Sequence, residues 1–173
     1  NKYLQFSNII FSSNNSNFEF YNYDLLKKLQ NKILNYIRVK KIYTKNCFDK
    51  IYINRIDSNK KKDRFLINEN ELTLKIKKKG FKCLTLSNYS FYEQAIIFNN
   101  AKIIIGLHGA GLANILFAKK NTKIIELTTS EWPNMYYRLS KCLKLNYKKV
   151  LCYKEHKKSN SVKCSIDTVL SKI

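Results

Sequence analysis

The run Ile103-Ile104-Ile105 leads directly into Gly106-Leu107-His108-Gly109-Ala110-Gly111, and this junction constrains the chain more than any other stretch. Three of the four glycines and one of the two histidines fall inside it. A β-branched run favours a strand, the glycines break it, and Leu112 to Phe117 restarts as a helix. A strand that leaves through a glycine turn into a helix presents unpaired N–H groups, and the helix dipole favours negative charge there. Glycine also lets a ligand come close to the backbone. The turn therefore suits a phosphate or diphosphate, with His108 as an added donor or proton carrier. A plain βα turn with a buried histidine has the same spelling.

The flanking segments decide what sheet this junction belongs to. Apolar residues at Leu25, Leu26, Leu29, Ile33, Leu34 and Ile37 recur at helical spacing, which predicts an amphipathic helix from Tyr23 to about Val39. Upstream, Asn8 to Phe11 is a short apolar piece and Ser12 to Asn17 a polar loop; downstream, Lys40 to Lys50 is a basic connector. Ile51 to Arg55 is a strand ending on arginine, followed by the polar segment Asp57 to Arg64. Asn68 caps a helix that Glu71 supports and Gly80 ends near Lys79. Phe81 to Thr85 is a strand, and Ser90 with Glu93 is a capping box opening a helix through Phe98. Lys123 to Leu127 is a strand closing on the carboxylate Glu126, Trp132-Pro133-Asn134 a turn, Met135 to Leu145 a helix, and Tyr147 to Tyr153 a last strand. Glu155 to Lys163 is polar and loop-like, and Ser165 to Ile173 allows a short helix.

Strands alternating with helices from residue 51 predict an α/β, Rossmann-like fold with a mainly parallel sheet and helices on both faces. The expected division is residues 1–47 as the end of a preceding region with loop and helix, 48–155 as the Rossmann-like domain, and 156–173 as a polar tail. In such sheets ligands bind beyond the carboxyl ends of the strands. Arg55, the glycine turn and Glu126 all fall at predicted strand ends, and an arginine fork matches a phosphate well.

A net charge of +21 invites a nucleic-acid reading. Only Arg38, Arg55, Arg64 and Arg138 are arginines, however, and the lysines come with abundant Asn, Ile, Tyr and Phe, the residues of A/T-rich codons. No arginine–aromatic interleaving or recognition helix stands out, so no nucleic-acid partner is expected. Cys47, Cys83, Cys142, Cys152 and Cys164 are scattered, odd in number and without a C-x-x-C pair, a poor zinc or disulfide framework. Cys83 and Cys142 read as small core residues of a reducing compartment, which favours a cytoplasmic location. A Cys142–Cys152 or Cys152–Cys164 bridge stays open. No run is apolar enough for a membrane span. The chain starts at Asn1 rather than Met, which suggests part of a longer polypeptide, and any membrane association would come through an upstream segment.

Taken together, Ile51-Tyr52-Ile53-Asn54-Arg55, Asn68-Glu69, Ser90-Phe91-Tyr92-Glu93-Gln94, the Gly106–Asn114 stretch and Ile125-Glu126-Leu127 resemble, in order and spacing, the C-terminal region of glycosyltransferase family 61. Tyr136-Tyr137-Arg138-Leu139 followed by Leu145-Asn146-Tyr147 extends the resemblance over roughly residues 48–153. It implies a GT-B enzyme with two Rossmann-like domains, of which this chain is most of the donor-binding one and an acceptor-binding N-terminal domain lies upstream. It also implies inverting transfer of a sugar from a UDP-sugar to a glycan, polysaccharide or protein acceptor. GT-B enzymes work without a bound metal, and the chain has no Asp-x-Asp; no cofactor and no metal are expected. A eukaryotic relative would work in the secretory-pathway lumen.

Carried over by position, the resemblance puts Arg55, His108 and the amides of Gly109, Ala110 and Gly111 on the donor diphosphate, and Glu126 and Asn114 near the ribose and nucleoside. His108 is the catalytic candidate. It is either the base for the acceptor hydroxyl or, as a phosphate neighbour favours, a charged donor to the leaving group. Trp132 and Tyr136 either stack on uracil or pack in the core.

Overall fold

The computed structural model describes residues 22–56, 64–154 and 161–173. The apolar piece at Asn8–Phe11, the loop at Ser12–Asn17, most of the polar segment after Asp57 and the first part of the polar tail lie outside the described residues.

Five strands make one parallel sheet: β1 (Lys50–Ile53), β3 (Lys82–Leu84), β4 (Ile103–Leu107), β5 (Lys123–Thr128) and β6 (Asn146–Leu151). Their order is β3-β1-β4-β5-β6, so the glycine-bearing β4 is central. Buried on both faces, the central strands are continuous apolar runs, which is why β4 and β5 read as Ile-rich rather than alternating. The edge strand β6 is instead mostly exposed, with Val150 its one buried residue.

Two apolar clusters sandwich the sheet. On one face Ile51, Ile53, Ile104 and Ile124 meet α1 (Tyr23–Val39), α3 (Phe91–Asn100) and α4 (Met135–Cys142). On the other, Tyr52, Ile105, Ile125 and Val150 meet α2 (Glu69–Lys77) and α5 (Ile166–Lys172). The α/β, Rossmann-like architecture is thus the one the alternation predicts. The Ser90–Glu93 capping box forms with both reciprocal hydrogen bonds, and Gly80 ends α2 at φ +81°.

Several local expectations are corrected. The segment after the glycine turn is a 3-10 helix, Ala110–Phe117. Its last carbonyls are taken by side chains: Gln30 donates to Leu116 O and Ala118 O, and Asn99 to Phe117 O. Asn68 makes no side-chain cap on α2; it reaches instead to the backbone of Cys164, donating to its carbonyl at 2.9 Å and accepting from its N–H at 3.2 Å. Strand β5 runs two residues past Glu126, because Leu127 and Thr128 pair with Val150 and Leu151. A second, two-stranded parallel sheet joins β2 (Phe65–Leu66) to β7 (Ser161–Val162), which the sequence did not announce. Cys83 and Cys142 are half-buried, whereas Cys152 and Cys164 are the buried pair.

Candidate functional site

The register of the sheet brings the expected residues to one edge. Ile53 pairs with Gly106, and Gly106 with Glu126, so Arg55 leaves β1 beside the turn that leaves β4. Gly109 is extended, a conformation any residue adopts, so backbone freedom is not its role. Its role is space. A Cβ at Gly109 would run into Nη1 of Arg55 and lie 3.3 Å from Cζ, so the guanidinium rests on the bare backbone of the turn. Gly111 is crowded by Leu86 Cδ1, which a Cβ would meet at 2.9 Å. Arg55, Gly109, Ala110 and Gly111 line one cavity of about 140 Å³ with Ile53 and Leu86.

Each half of this cradle is held from behind. Glu69, at the start of α2, accepts from the Arg55 N–H at 3.2 Å and from the Tyr52 hydroxyl at 2.6 Å. Burial, then the Glu69 charge, drives the Tyr52 hydroxyl well above the usual tyrosine range, so it stays a donor. The turn is fixed by Tyr136, whose hydroxyl donates to Gly109 O at 2.6 Å, and by the His108 N–H, which donates to Leu127 O at 2.8 Å. Tyr136 is buried and lies edge-on to His108, with centroids 5.1 Å apart. It is core and turn anchor at once.

His108 is 2% exposed and Glu126 1%. Strand alternation sets both on the same face of the sheet, where Nδ1 of His108 bonds Oε1 of Glu126. Tyr147, on neighbouring β6, donates to Oε2 of Glu126 at 2.5 Å. Set against this carboxylate, Nδ1 is the nitrogen that carries the proton in the neutral ring, and Nε2 is the one not turned to Glu126. Burial, followed by this hydrogen bond, pushes the Tyr147 hydroxyl far up, keeping it protonated. The Trp132 ring lies tilted 5.6 Å from the imidazole, centroid to centroid, and the Arg64 guanidinium sits 4.8 Å over the indole.

The two residues expected near the ribose and nucleoside, Glu126 and Asn114, both have protein partners. Both oxygens of Glu126 are engaged by protein, although the residue borders a second cavity of about 790 Å³ with Thr128, Trp132, Tyr137 and Tyr147. Asn114 is turned into the fold, donating to Gln94 Oε1 at 2.9 Å and Gly111 O at 3.3 Å. Sequence reasoning took Glu69 as part of a helix start and of the Asn68-Glu69 motif, without a partner, and gave Tyr147 no role. No local signal marks Tyr147, because its reach to Glu126 depends on β6 pairing with β5. Among the described residues no group of three His, Cys, Asp or Glu side chains gathers to hold a metal.

The family profile described as Glycosyltransferase 61 matches residues 3–125, well over half the chain and every part of the cradle. The chain belongs to that family. Its glycosyltransferase 61 relatives include the EGF domain-specific O-linked N-acetylglucosamine transferase of Drosophila melanogaster, 33% identical over 94 residues, or 53% of this chain and 18% of the relative. The Gallus gallus protein of the same name is 34% identical over 92 residues, 49% of this chain and 17% of the relative. The chain therefore spans less than a fifth of the length of these curated relatives. The family match begins upstream of the stretch in which the motifs are recognisable by eye, taking in α1.

Proposed function

We propose that this chain is the donor-binding part of a glycosyltransferase that takes its sugar from a nucleoside diphosphate sugar, UDP-linked, with inversion and without a metal. The observation that carries the reading is the seating of the Arg55 guanidinium on the backbone of Gly109, in one cavity with the turn amides. This arrangement sets a cationic fork beside the N–H groups of the turn, where both can face a single anion. When the sugar leaves, charge gathers on the diphosphate, and donors already in place lower that barrier without reorganising. As an imidazolium, with Nδ1–H on Glu126, His108 adds an Nε2–H donor to the same group. The relatives' names make UDP-N-acetylglucosamine the first donor to try and an EGF-like domain the first acceptor. The acceptor side of the cleft belongs to a further domain of the longer protein.

Titration calorimetry with UDP, in buffer containing chelator, tests the donor site on the folded chain. We expect binding in the micromolar to millimolar range, weakened at least tenfold in Arg55→Ala and less in His108→Ala. Equal heats for the wild-type chain and Arg55→Ala would sink the reading.

A further inference from the structure

We propose that Cys152 and Cys164 are a disulfide site, closed by thiol–disulfide exchange, that staples the end of β6 to the segment after β7. The main-chain register carries this. Tyr153 and Lys163 form an antiparallel bridge in which each N–H bonds the other's carbonyl, at 3.0 and 2.9 Å. One step outward, Cys152 and Cys164 are directly opposite in a non-hydrogen-bonded pair. Such a pair holds its Cα atoms about 4.5 Å apart and its side chains on one face. Disulfides span Cα separations of roughly 4.4–6.8 Å.

The amides agree with that register. The Cys152 N–H donates to Thr128 O at 2.7 Å and the Cys164 N–H to Asn68 Oδ1 at 3.2 Å, neither toward the other cysteine. Both side chains, 7% and 2% exposed, enter the same cluster with Val150, Val162 and Val169. The rival pairing fails on topology. Cys142 belongs to α4, whose buried residues pack on the opposite face of the sheet. Cys83 lies in β3, at the far edge from β6.

Cys152 and Cys164 are both reduced in the structure. Burial pushes the Cys152 thiol up to about 12 and the Cys164 thiol up to about 11, so in the folded reduced chain both are poor nucleophiles. The bridge is therefore made as the chain folds. One cysteine thiolate attacks a disulfide oxidant such as oxidised glutathione, expelling one oxidant thiol and leaving a mixed disulfide. The second cysteine thiolate then attacks the protein sulfur of that mixed disulfide and releases the other oxidant thiol. Two protein thiols are oxidised and the oxidant disulfide is reduced to two thiols. Once buried, the bridge is shielded from reductant. It also fixes Cys164, whose backbone holds Asn68, the neighbour of the Arg55 anchor Glu69.

The full chain is refolded from denaturant in a reduced and oxidised glutathione buffer, with a second sample incubated folded in the same buffer. Both are alkylated under denaturing conditions and digested with trypsin. Cleavage after Lys149, Lys154, Lys163 and Lys172 separates Val150–Lys154 from Cys164–Lys172. In the refolded sample we expect these two peptides joined and the alkylated cysteines reduced from five to three. The same link is expected in a chain carrying Cys47→Ser, Cys83→Ser and Cys142→Ser. Five alkylated cysteines in both samples, or a link through Cys47, Cys83 or Cys142, overturns the proposal.

Discussion

Substituting Gly109 by alanine separates the binding site from the fold more sharply than any other single change. The new Cβ would occupy the place of Arg55 Nη1 and sit 3.3 Å from Cζ, so the guanidinium must swing away from the turn. The backbone is extended, so alanine itself is unstrained, and the Tyr136 bond to Gly109 O is untouched. What gives way is the end of a flexible, half-buried side chain, and we expect stability to change by less than about 1 kcal/mol. A lost charge-assisted hydrogen bond costs about 1.5–3 kcal/mol, which lowers UDP affinity roughly 10- to 150-fold. Calorimetry and urea unfolding, run on the single variants and on Gly109→Ala with Arg55→Ala, give the decisive comparison. If alanine acts by displacing Arg55, it adds little once Arg55 is gone. A full additional loss in the Arg55→Ala background would refute the displacement mechanism. An unchanged UDP affinity in Gly109→Ala would remove Arg55 from the diphosphate site altogether.

Glu126→Ala leaves a buried imidazole and the Tyr147 hydroxyl without their shared acceptor, and should cost about 3–5 kcal/mol in urea unfolding; a loss under about 1 kcal/mol would show that the buried pair is not holding the sheet edge. Tyr136→Phe removes the hydroxyl that holds Gly109 O and should destabilise by about 1–3 kcal/mol while weakening UDP binding, and unchanged affinity would exclude Tyr136 as the turn anchor. The Cys152 and Cys164 thiols are raised in the folded state from an unfolded value of 9.0 to about 12 and about 11. The unfolded chain then releases their protons first, so the stability of the reduced protein is full below pH 9 and falls between pH 9 and 12. Urea unfolding of the reduced chain from pH 8 to 10.5 should show this decline, and it should be shallower after Cys152→Ala and Cys164→Ala; equal slopes would contradict the burial-raised thiols.

What could be read from the chain was whatever depends on local pattern. The Ile-rich β4 and β5, the α1 stripe and the Ser90–Glu93 box each carry their own signal within a few residues, and each forms. Asn68 shows where local pattern stops. Its spelling is that of a cap, but Cys164, ninety-six residues on, offers a backbone N–H and C=O that claim its amide. The β2–β7 pair is too short at two residues a strand to have a period at all. At the site, Arg55, His108, Gly109 and Glu126 could be singled out because glycine and histidine are rare in this composition and the two charges lie at or near strand ends. Their pairing was not legible. That Glu126 turns to His108 rather than outward follows from the Gly106–Glu126 register and from Tyr147 closing its other side, both products of sheet assembly.

The strand order also sets a schedule for folding. In β4, β5 and β6 each strand pairs with the next, Ile103 with Lys123 and Lys123 with Asn146, so short loops close those contacts. Strand β1 must instead find β4 across a longer span, Lys50 to Ile103, with α2, β3 and α3 threaded between. Longer loops close at a higher entropic cost, and contacts distant in sequence slow folding. We therefore expect the glycine turn to be in place, with His108 on Glu126, before Arg55 arrives over Gly109. Pulse-labelled hydrogen exchange should find the β4–β6 amides protected ahead of those of β1, and the ability to hold an anion should appear only with the later phase.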